Sequence, residues 1–220
     1  MFRQVRFIKY GSLVDYTVML QRQQAARDAL AAGGAPNTVF LLEHTPTITL
    51  GRRARPEHIL ADAEILERMG IRVVETDRGG DVTYHGPGQM VAYPVLDLNQ
   101  WSPSVDGYLR ALEETLIQLL HEYGVSGKRV DGYTGVWADG AKVAAIGIGV
   151  RHWITWHGLA LNVDPNERYW ATIIPCGIQD KPVTSLAQLL GRTVDMEEVK
   201  ARFIRAFSEV FQCETDCHEA

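Results

Sequence analysis

The amino-acid sequence predicts a single α/β domain, of the α+β type, in which helices flank a mixed or mostly antiparallel sheet. Segments with the two-residue periodicity of strands interleave with segments of helical periodicity, and no linker, repeat or low-complexity tract interrupts them. The chain has 220 residues, of which 46% are hydrophobic and 22% are charged, so it can bury a sizeable core. We therefore expect one domain over residues 1–220, with a frayed C-terminal tail at about 212–220.

The N-terminal half of the chain alternates between the two patterns. An apolar-polar alternation typical of a half-buried strand comes first, and helical spacing then continues until Gly33-Gly34 ends it. Pro46 divides two short β-rich segments, and Gly70 ends a short helix. These patterns predict strands at 3–10, 38–43, 47–50, 73–76 and 90–98, helices at 13–32 and 62–69, and a glycine-rich loop at 78–89.

The C-terminal half contains the clearest individual signals. A leucine-rich face predicts a helix at 104–123, which Gly124 ends. Asp139-Gly140 predicts a two-residue hairpin turn, because both residues tolerate positive φ. The remaining patterns predict strands at 135–138, 142–150 and 154–163 and helices at 184–190 and 195–211, the last with an acidic first turn.

Charge and hydropathy narrow the functional class. The 22 Lys and Arg residues stand against 27 Asp and Glu residues, a formal charge of -5, so no general basic field is available to bind nucleic acid. Charged residues interrupt the N-terminal segment where a secretory signal would be apolar. The longest uncharged apolar segment, residues 143–150, is far shorter than the ~20 residues of a membrane-spanning helix. We expect a cytoplasmic protein that binds neither nucleic acid nor membrane.

The cysteines and glycines provide no metal site and no nucleotide-binding motif. The three cysteines are an odd and sparse set, typical of reduced intracellular thiols. Cys213 and Cys217 stand beside His218, but no second pair of ligands is near them in the sequence. A phosphate-binding loop also fails, because Gly127-Lys128 is followed by Arg129 instead of Ser or Thr. The sequence therefore predicts no metal and no nucleotide cofactor.

The segment from Arg78 to Gln89 is the strongest candidate for a binding loop. Its twelve residues include four glycines and a proline, together with the potential cations Arg78 and His85. Glycine lacks a Cβ, so backbone N–H groups and a substrate chain can approach each other closely. Long loops of this kind are usually functional. Composition alone is equally consistent with a wide turn that binds no ligand.

Lys142 and Cys176 are the two side chains whose chemistry the local sequence favours. Lys142 follows the predicted hairpin turn and leads a strand of small residues, where partial burial lets a lysine exchange protons near neutral pH. Cys176 lies between Pro175 and Gly177, and a nearby ammonium stabilises the thiolate that acts as a nucleophile. The structural alternatives are an exposed lysine at a strand end and a cysteine buried as a small hydrophobic residue.

Five motifs, in this order along the chain, resemble those of the lipoyl (octanoyl) transferase family. They are Arg78-Gly79-Gly80 with Thr83, His85-Gly86-Pro87-Gly88-Gln89, Lys142 to Gly147, His157 to Asn162, and Pro175-Cys176-Gly177-Ile178 with Val183 to Leu186. The segment Leu42 to Pro46 is also similar to an early strand end of the family, with Thr45 where proline is common. Each motif is weak alone, but their order and spacing are highly specific, and the resemblance covers nearly the whole chain.

This resemblance implies an acyltransferase that moves an octanoyl group from octanoyl-acyl carrier protein to a lysine of lipoyl domains. The acceptors would be 2-oxoacid dehydrogenase complexes and the glycine cleavage H protein, and the reaction would need no cofactor. The implied fold is similar to the catalytic domain of biotin and lipoate protein ligases. By the same resemblance, Cys176 is the nucleophile that carries the acyl group as a thioester, and Lys142 promotes its ionisation and shuttles protons.

The resemblance also assigns an acyl-binding surface. The residues expected to line it are Arg78, Gly79, Gly80, Asp81, Val82, Thr83, Tyr84, His85, Ala145, Ile146, Gly147, Gly158, Leu159 and Ala160. His157 and Gln89 are auxiliary candidates, and His85 and His157 are either alternatives to Lys142 in proton transfer or structural histidines. The basic segment Arg52-Arg53-Ala54-Arg55 either steers an acidic carrier protein to the site or is a solvated part of the surface.

Two other functions stay open at the level of the sequence. An ATP-dependent lipoate-protein ligase of the same fold would activate free lipoate as an adenylate and would need no nucleophilic cysteine. A noncatalytic protein that binds acyl groups or lipoyl domains would keep only the scaffold. The second alternative becomes attractive if Cys176 and Lys142 are not neighbours in the folded chain.

Overall fold

The computed structural model, which describes residues 3–178 and 181–220, alternates strands and helices along the chain. In order they are β1 (Arg3–Val14), α1 (Tyr16–Ala31), β2 (Asn37–His44), β3 (Thr47–Leu50), α2 (Ala63–Arg68), β4 (Arg72–Glu75), β5 (Val82–His85), β6 (Gln89–Val95), α3 (Val105–Glu122), β7 (Lys128–Val130), β8 (Tyr133–Ala138), β9 (Ala141–Arg151), β10 (Ile154–Asn162), α4 (Leu186–Leu190), α5 (Met196–Phe211) and β11 (Cys213–Glu219). Within these described residues, no helix combines the length and the apolar character that crossing a membrane requires.

The strands form two sheets. The larger sheet has the order β11-β1-β2-β6-β10-β9-β8-β7. Its first three strands run parallel to one another, and the remaining neighbours pair antiparallel. The smaller sheet has the order β4-β3-β5, with β3 parallel to β4 and antiparallel to β5. The α/β fold with a mixed sheet and flanking helices is therefore confirmed.

The core lies on both faces of the larger sheet because its central strands are apolar at successive positions. Successive side chains of a strand point to opposite faces. Val39 and Leu41 of β2 accordingly join a cluster with α3 and α5, whereas Phe40 and Leu42 join a second cluster with α1. Each such side chain contributes about 1.5–3 kcal/mol when it is removed from water. This burial fixes which residues of β9 and β10 face the helices and which face the functional site.

Capping residues set the helix boundaries more sharply than the periodicity predicts. The helix predicted from residue 13 begins at Tyr16, because the Asp15 carboxylate accepts hydrogen bonds from the amides of Thr17 and Val18. Residues before Asp15 stay in β1, which runs to Val14. Ser104 caps α3 in the same way, through the Gly107 amide, and the helix predicted at 104–123 is confirmed.

The hairpin predicted at Asp139-Gly140 is confirmed. β8 ends at Ala138 and β9 begins at Ala141, with only these two residues between the strands. Asp139 has φ 49° and Gly140 has φ 81°, so both central positions take the left-handed conformation that a tight hairpin turn needs. The turn places Lys142 at the second position of β9.

The loop predicted at 78–89 is wrong in its middle part. Val82–His85 forms β5, and all four residues are buried against β3, with which they pair antiparallel. Glycines on both sides dominate the composition of the segment, so its pattern predicted a loop. The four residues between them include the β-branched and aromatic types that favour strands. The chain therefore has two tight glycine-containing turns here, one before and one after β5. No pattern in the sequence predicted the short strand β7.

The frayed tail predicted at 212–220 is also wrong. Cys213–Glu219 forms β11, which pairs in parallel with β1 from Arg3 to Lys9. The segment is polar and charged because it lies at the edge of the sheet, where most of its side chains reach solvent. Its polarity therefore marks an edge strand and not disorder.

Candidate active site

A cavity of about 710 Å³ is lined by β5, β9, β10, the turn before β5 and the segment around Cys176. This volume lies within the ordinary range of small-molecule pockets, roughly 300–1,000 Å³. The predicted site residues that line it are Arg78, Gly79, Gly80, Asp81, Thr83, His85, Lys142, Ala145, Ile146, Gly147, His157, Gly158, Leu159, Ala160 and Cys176. The fold thus brings together residues that the sequence spreads over about a hundred positions.

Three predicted residues lie outside the cavity wall. Val82 and Tyr84 alternate with Thr83 and His85 along β5, so they point the other way, into an apolar cluster under the smaller sheet. Gln89 is buried behind His85, from whose Nδ1–H its Oε1 accepts a hydrogen bond of 2.7 Å. Val82 and Tyr84, predicted to contact an acyl group, therefore pack in the core instead. Gln89 can influence the cavity only through its hydrogen bond with His85.

Several lining residues were not predicted. Tyr16 and Tyr93 contribute aromatic rings, His58 lies beside the cysteine segment, and Arg53 and Arg55 are exposed cations on the cavity lining. The basic segment was noticed for its charge, but the tyrosines and His58 lie in ordinary strand, helix or loop patterns and carry no signal in a single sequence. The rest of the unpredicted lining comprises Leu109, Gly132, Tyr133, Thr134, Ile148, Gly177 and Ile178.

Cys176 lies in a short 3-10 turn, Pro175–Gly177, in an unusual backbone conformation. Its φ is 57° and its ψ is 17°, which places a residue with a side chain in the left-handed region. Hydrogen bonds from Gly177 N to Ile174 O and from Ile178 N to Pro175 O close the turn. The Cys176 side chain is only partly buried and borders the cavity. Such strained positions are concentrated at functional sites.

A hydrogen-bonded pair, His58 and Asp81, supports the cysteine turn. The His58 Nδ1–H donates to Asp81 Oδ2 at 2.6 Å, and the other carboxylate oxygen accepts from the amides of Arg55 and Val82. A Cβ on Gly177 would lie 2.5 Å from Asp81 Oδ2 and 2.9 Å from the His58 ring, so only glycine lets the turn pack so closely. The Ile174 amide also donates to the His58 carbonyl at 2.8 Å. The turn before β5 and the cysteine turn therefore form one unit.

Lys142 meets Cys176 across the end of the cavity. Its Nζ donates to Cys176 Sγ at 3.4 Å, and it lies 4.9 Å from the centre of the Trp137 ring. The backbone of Lys142 is bonded on both sides to the segment that follows the cysteine, through Pro182 O and Thr184 N. The residue is only 8% exposed, so the exposed strand-end lysine considered above is not observed. An amine and a thiol are thus in contact inside a pocket.

Arg78 is a second buried cation of the cavity. Its guanidinium donates to Thr49 O and Oγ1, Gly79 O and Asp81 O, at 2.6–3.0 Å. Burial lowers the pKa of Arg78 from its ordinary value. Among the described residues it forms no ion pair with a carboxylate, so neutral carbonyl and hydroxyl oxygens satisfy it. Arg78 thereby ties the turn before β5 to β3.

Two buried histidines line or support the wall near the tyrosines. His44 donates from Nδ1 to Val14 O at 2.8 Å and accepts from the Tyr93 hydroxyl, and burial lowers its pKa to about 4. Burial also lowers the pKa of His85 well below its ordinary value. Both rings are therefore neutral at pH 7, and each keeps the tautomer in which Nδ1 carries the proton. This neutral state makes His85 a poor proton donor.

Burial also keeps His157 neutral, although its hydrogen-bond partner favours the protonated ring. Burial lowers its pKa, while Asp77, which accepts from its Nε2–H at 2.7 Å, raises it. The same hydrogen bond lowers the pKa of Asp77 to about 2. His157 has φ 55°, its amide donates to Gln23 Oε1, and its buried Nδ1 has no partner among the described residues. These contacts indicate that His157 has a structural role in the cavity lining.

Gly147 brings the turn before β5 close to β9. A Cβ at this position would lie 2.8 Å from the carbonyl oxygen of Gly79, and the Gly79 amide donates to Ile148 O at 2.9 Å. The space next to this glycine is therefore filled by protein backbone, which seals one side of the cavity. Within residues 3–178 and 181–220, no group of three or more His, Cys, Asp or Glu side chains is arranged to hold a metal ion.

A family model described as the lipoyl protein ligase A/B catalytic domain matches residues 15–208, a range that contains Lys142, Cys176 and the whole cavity lining. The chain belongs to this family. An octanoyltransferase of Chloroflexus aggregans is 48% identical over 201 residues, which are 90% of this chain and 91% of the relative. An octanoyltransferase of Solibacter usitatus is 46% identical over 201 residues, 91% of this chain and 90% of the relative. The resemblance inferred from the five motifs is confirmed.

Solved structures agree with the fold of this family. A putative lipoate protein ligase from T. acidophilum with bound lipoic acid covers 100% of this chain and 90% of its own, with a TM-score of 0.75 and 14% identity. A biotin protein ligase from Aquifex aeolicus in complex with biotin and ATP covers 96% of this chain and 70% of its own, with a TM-score of 0.55 and 14% identity. The predicted similarity to the fold of biotin and lipoate ligases is confirmed.

Proposed function

We propose that the protein is an octanoyltransferase that moves an octanoyl group from a carrier-protein thioester to a lysine of a lipoyl domain, through an S-octanoyl-Cys176 intermediate. The observation that carries this proposal is the 3.4 Å contact between Lys142 Nζ and Cys176 Sγ on the cavity wall. Relatives that are 48% and 46% identical over 201 residues bear the name octanoyltransferase, which supports the same conclusion.

The first half of the reaction exchanges one thioester for another. The Cys176 thiolate attacks the carbonyl carbon of the octanoyl thioester, and the bond from that carbon to the carrier sulfur breaks. The Lys142 ammonium gives its proton to the departing carrier thiolate and becomes a neutral amine. Because the amides of Gly177 and Ile178 already donate within the turn, Lys142 is the donor best placed to stabilise the tetrahedral oxyanion.

The second half of the reaction forms an amide. The neutral amine of the acceptor lysine attacks the S-octanoyl carbonyl, and the bond to Cys176 Sγ breaks, which restores the thiolate. The proton that the attacking nitrogen loses goes to the neutral Lys142 amine, which restores the ammonium. The donor is already an activated thioester, so the reaction needs no ATP.

The Lys142–Cys176 pair also separates this function from the two alternatives. A ligase that makes an acyl adenylate has no use for a nucleophilic thiol, and the Cys176 side chain would then have no reason to border the cavity. A noncatalytic binding protein has no use for a cation in contact with that thiol. Both alternatives leave the strained backbone at Cys176 unexplained.

The cations on the cavity lining fit an acidic carrier protein as the donor. Arg53 and Arg55 are exposed and border the cavity, in a chain whose formal charge is -5. A local positive patch on a negative protein steers an acidic partner to one orientation. The proposed donor is therefore octanoyl-acyl carrier protein. The proposed acceptors are the lipoyl domains of 2-oxoacid dehydrogenase complexes and the glycine cleavage H protein, in the cytoplasm, where a thiol stays reduced.

The decisive experiment follows the mass of the protein after it is mixed with octanoyl-acyl carrier protein and no ATP. We expect one octanoyl group on the wild-type chain, located on the Cys176 peptide, and its transfer to an added lipoyl domain. Cys176→Ala abolishes the adduct because it removes the attacking sulfur. Cys213→Ser is the matched control, since Cys213 lies in β11, outside the cavity, and its substitution leaves acylation intact.

Two results would contradict this function. Transfer that requires ATP and free octanoate or lipoate would favour the ligase. An intact Cys176→Ala variant that modifies lipoyl domains as fast as the wild type would show that the cysteine is not the acyl carrier.

A further inference from the structure

Lys142 reaches Cys176 along a slot made by Gly135 and Trp137 of β8, which we call the lysine slot. Trp137 lies directly opposite Lys142 in the β8–β9 pair, and its ring faces the ammonium at 4.9 Å. A Cβ on Gly135 would lie 2.9 Å from Lys142 Cε. The aliphatic part of the lysine therefore packs on the backbone of Gly135 while its charge lies over an aromatic face.

The lysine slot coincides with an irregularity in strand pairing. The register shifts between Val136 and Trp137, so that Val143 of β9 has no counterpart on β8. Bulges of this kind redirect side chains next to active sites. Gly135 also has φ 126°, a conformation that residues with a Cβ rarely adopt. The group that fixes the backbone of Gly135 consequently fixes the position of the Lys142 side chain.

Glu113 is the side chain that holds Gly135. It lies on α3, it is 1% exposed, and its Oε1 accepts a hydrogen bond of 3.2 Å from the buried Gly135 amide. Its Oε2 accepts from Arg110 at 2.6 Å and from Arg129 at 3.0 Å. Three donors thus balance a carboxylate that burial alone would disfavour.

We propose that Glu113 is a positioning residue for Lys142: by holding the Gly135 amide, it keeps the lysine slot in the shape that brings Nζ to 3.4 Å from Cys176 Sγ. The inference rests on the proposed function, in which Lys142 and Cys176 are the reacting pair. Glu113 does not line the cavity, so replacing it leaves every lining residue itself unchanged.

The neighbouring Glu114 provides a matched control. It binds the same guanidinium, with its Oε2 2.8 Å from Arg129, but its side chain is 40% exposed and it has no contact with Gly135 among the described residues. Glu113→Gln removes the negative charge. It also breaks either the bond from Gly135 or the bonds from the arginines, because only one of the two end atoms of a glutamine side chain accepts hydrogen bonds. Glu114→Gln removes the same charge from the adjacent position of α3.

The test measures Cys176 in two ways: its acylation by octanoyl-acyl carrier protein, and its alkylation by iodoacetamide as a function of pH, followed on the Cys176 peptide. In Glu113→Gln we expect the maximal acylation rate to fall about 10- to 100-fold with the donor KM unchanged, as for a displaced catalytic group. The alkylation midpoint should shift to higher pH, towards that of Lys142→Met, because the thiolate loses its nearby cation. Glu114→Gln should match the wild type in both.

Glu113→Asp keeps the charge but shortens the side chain, so it tests the reach to Gly135 even if Glu113→Gln folds poorly. We expect it to lose rate and to shift the alkylation midpoint as well. A wild-type rate and midpoint in a folded Glu113 variant would overturn the inference, as would a lower rate with an unchanged midpoint, which is the result of a purely structural role. The alkylation profile needs no acyl donor, so failure of acylation in the wild type would instead contradict the proposed function.

Discussion

Cys176 has a strained backbone conformation that contacts with neighbouring residues hold in place. The left-handed conformation disfavours a residue with a side chain by roughly 1–2 kcal/mol. It is kept here because the turn is hydrogen bonded on both sides and Gly177 packs against the Asp81–His58 pair. The result is a thiol that points at the cavity and at Lys142. These contacts offset the cost of the strained conformation and keep the thiol directed at the cavity.

The individual residues of the site differ in how far the sequence reveals them. Cys176, between proline and glycine, and Lys142, after a hairpin turn, stand in local patterns that a single sequence displays. Glu113 stands in an ordinary helix among other charged residues, and His58 follows a Pro-Glu pair. Their partners, Gly135 and Asp81, are more than twenty positions away, so only the folded chain shows what they do.

Charge reversal at the cavity lining tests donor recognition by single residues. We expect Arg53→Glu with Arg55→Glu to raise the KM for octanoyl-acyl carrier protein about 10-fold at low salt, because steering by exposed charges is electrostatic. The difference should shrink as salt is added. Arg68→Glu, an exposed site on α2, is the control and should leave the KM unchanged. An unchanged KM in the double variant would show that this segment is only a solvated surface.

At the scale of elements, the edges of the larger sheet were the hardest part to predict. Central strands such as β2 and β6 are apolar on both faces and are recognisable by composition. The edge strands β7 and β11 are short or charged, because one side of each has no neighbouring strand to bury it. β11 is held by its ladder to β1 and by the buried Cys213, neither of which leaves a periodic pattern.

Removing residues 213–220 tests whether β11 is part of the fold. We expect the free energy of unfolding to fall by about 2–3 kcal/mol, since the ladder to β1 and the burial of Cys213 are lost. Urea denaturation of both chains measures the change. Removal of Ala220 alone, which gives up one backbone bond to Lys9, is the control and should cost much less. Equal midpoints for the shortened and the full chain would mean that this segment is frayed after all.

At the scale of the whole molecule, the buried histidines make stability depend on pH. His44, His85 and His157 are kept neutral by burial, whereas the unfolded chain binds a proton on each below about pH 6.5. The unfolded state therefore binds more protons than the folded state in this range, and stability falls as the pH falls. For His44 the window extends from 6.5 down to about 4. Asp77, whose pKa is lowered to about 2, adds its loss of stability only at lower pH.

Denaturation at several pH values tests this dependence. We expect the free energy of unfolding of the wild type to decrease between pH 6.5 and pH 4.5, with up to about 1.4 kcal/mol per pH unit from each buried histidine. His44→Gln should be less stable at pH 7 but should show a shallower slope by about that amount, because one titrating ring is gone. His152→Gln, in the exposed turn before β10, should keep the wild-type slope. A His44→Gln slope equal to that of the wild type would contradict the argument.

The fold class, most of the central elements, the hairpin and the choice of Lys142 and Cys176 as candidates could all be predicted from the sequence alone. These features depend on local periodicity, on turn chemistry or on motifs whose order lies along the chain. The folded structure was needed to show that Lys142 and Cys176 are in contact, that Val82 and Tyr84 belong to the core, and that β11 completes the sheet. Each of these facts depends on which distant segments pack together, and that is set by the burial of the whole core.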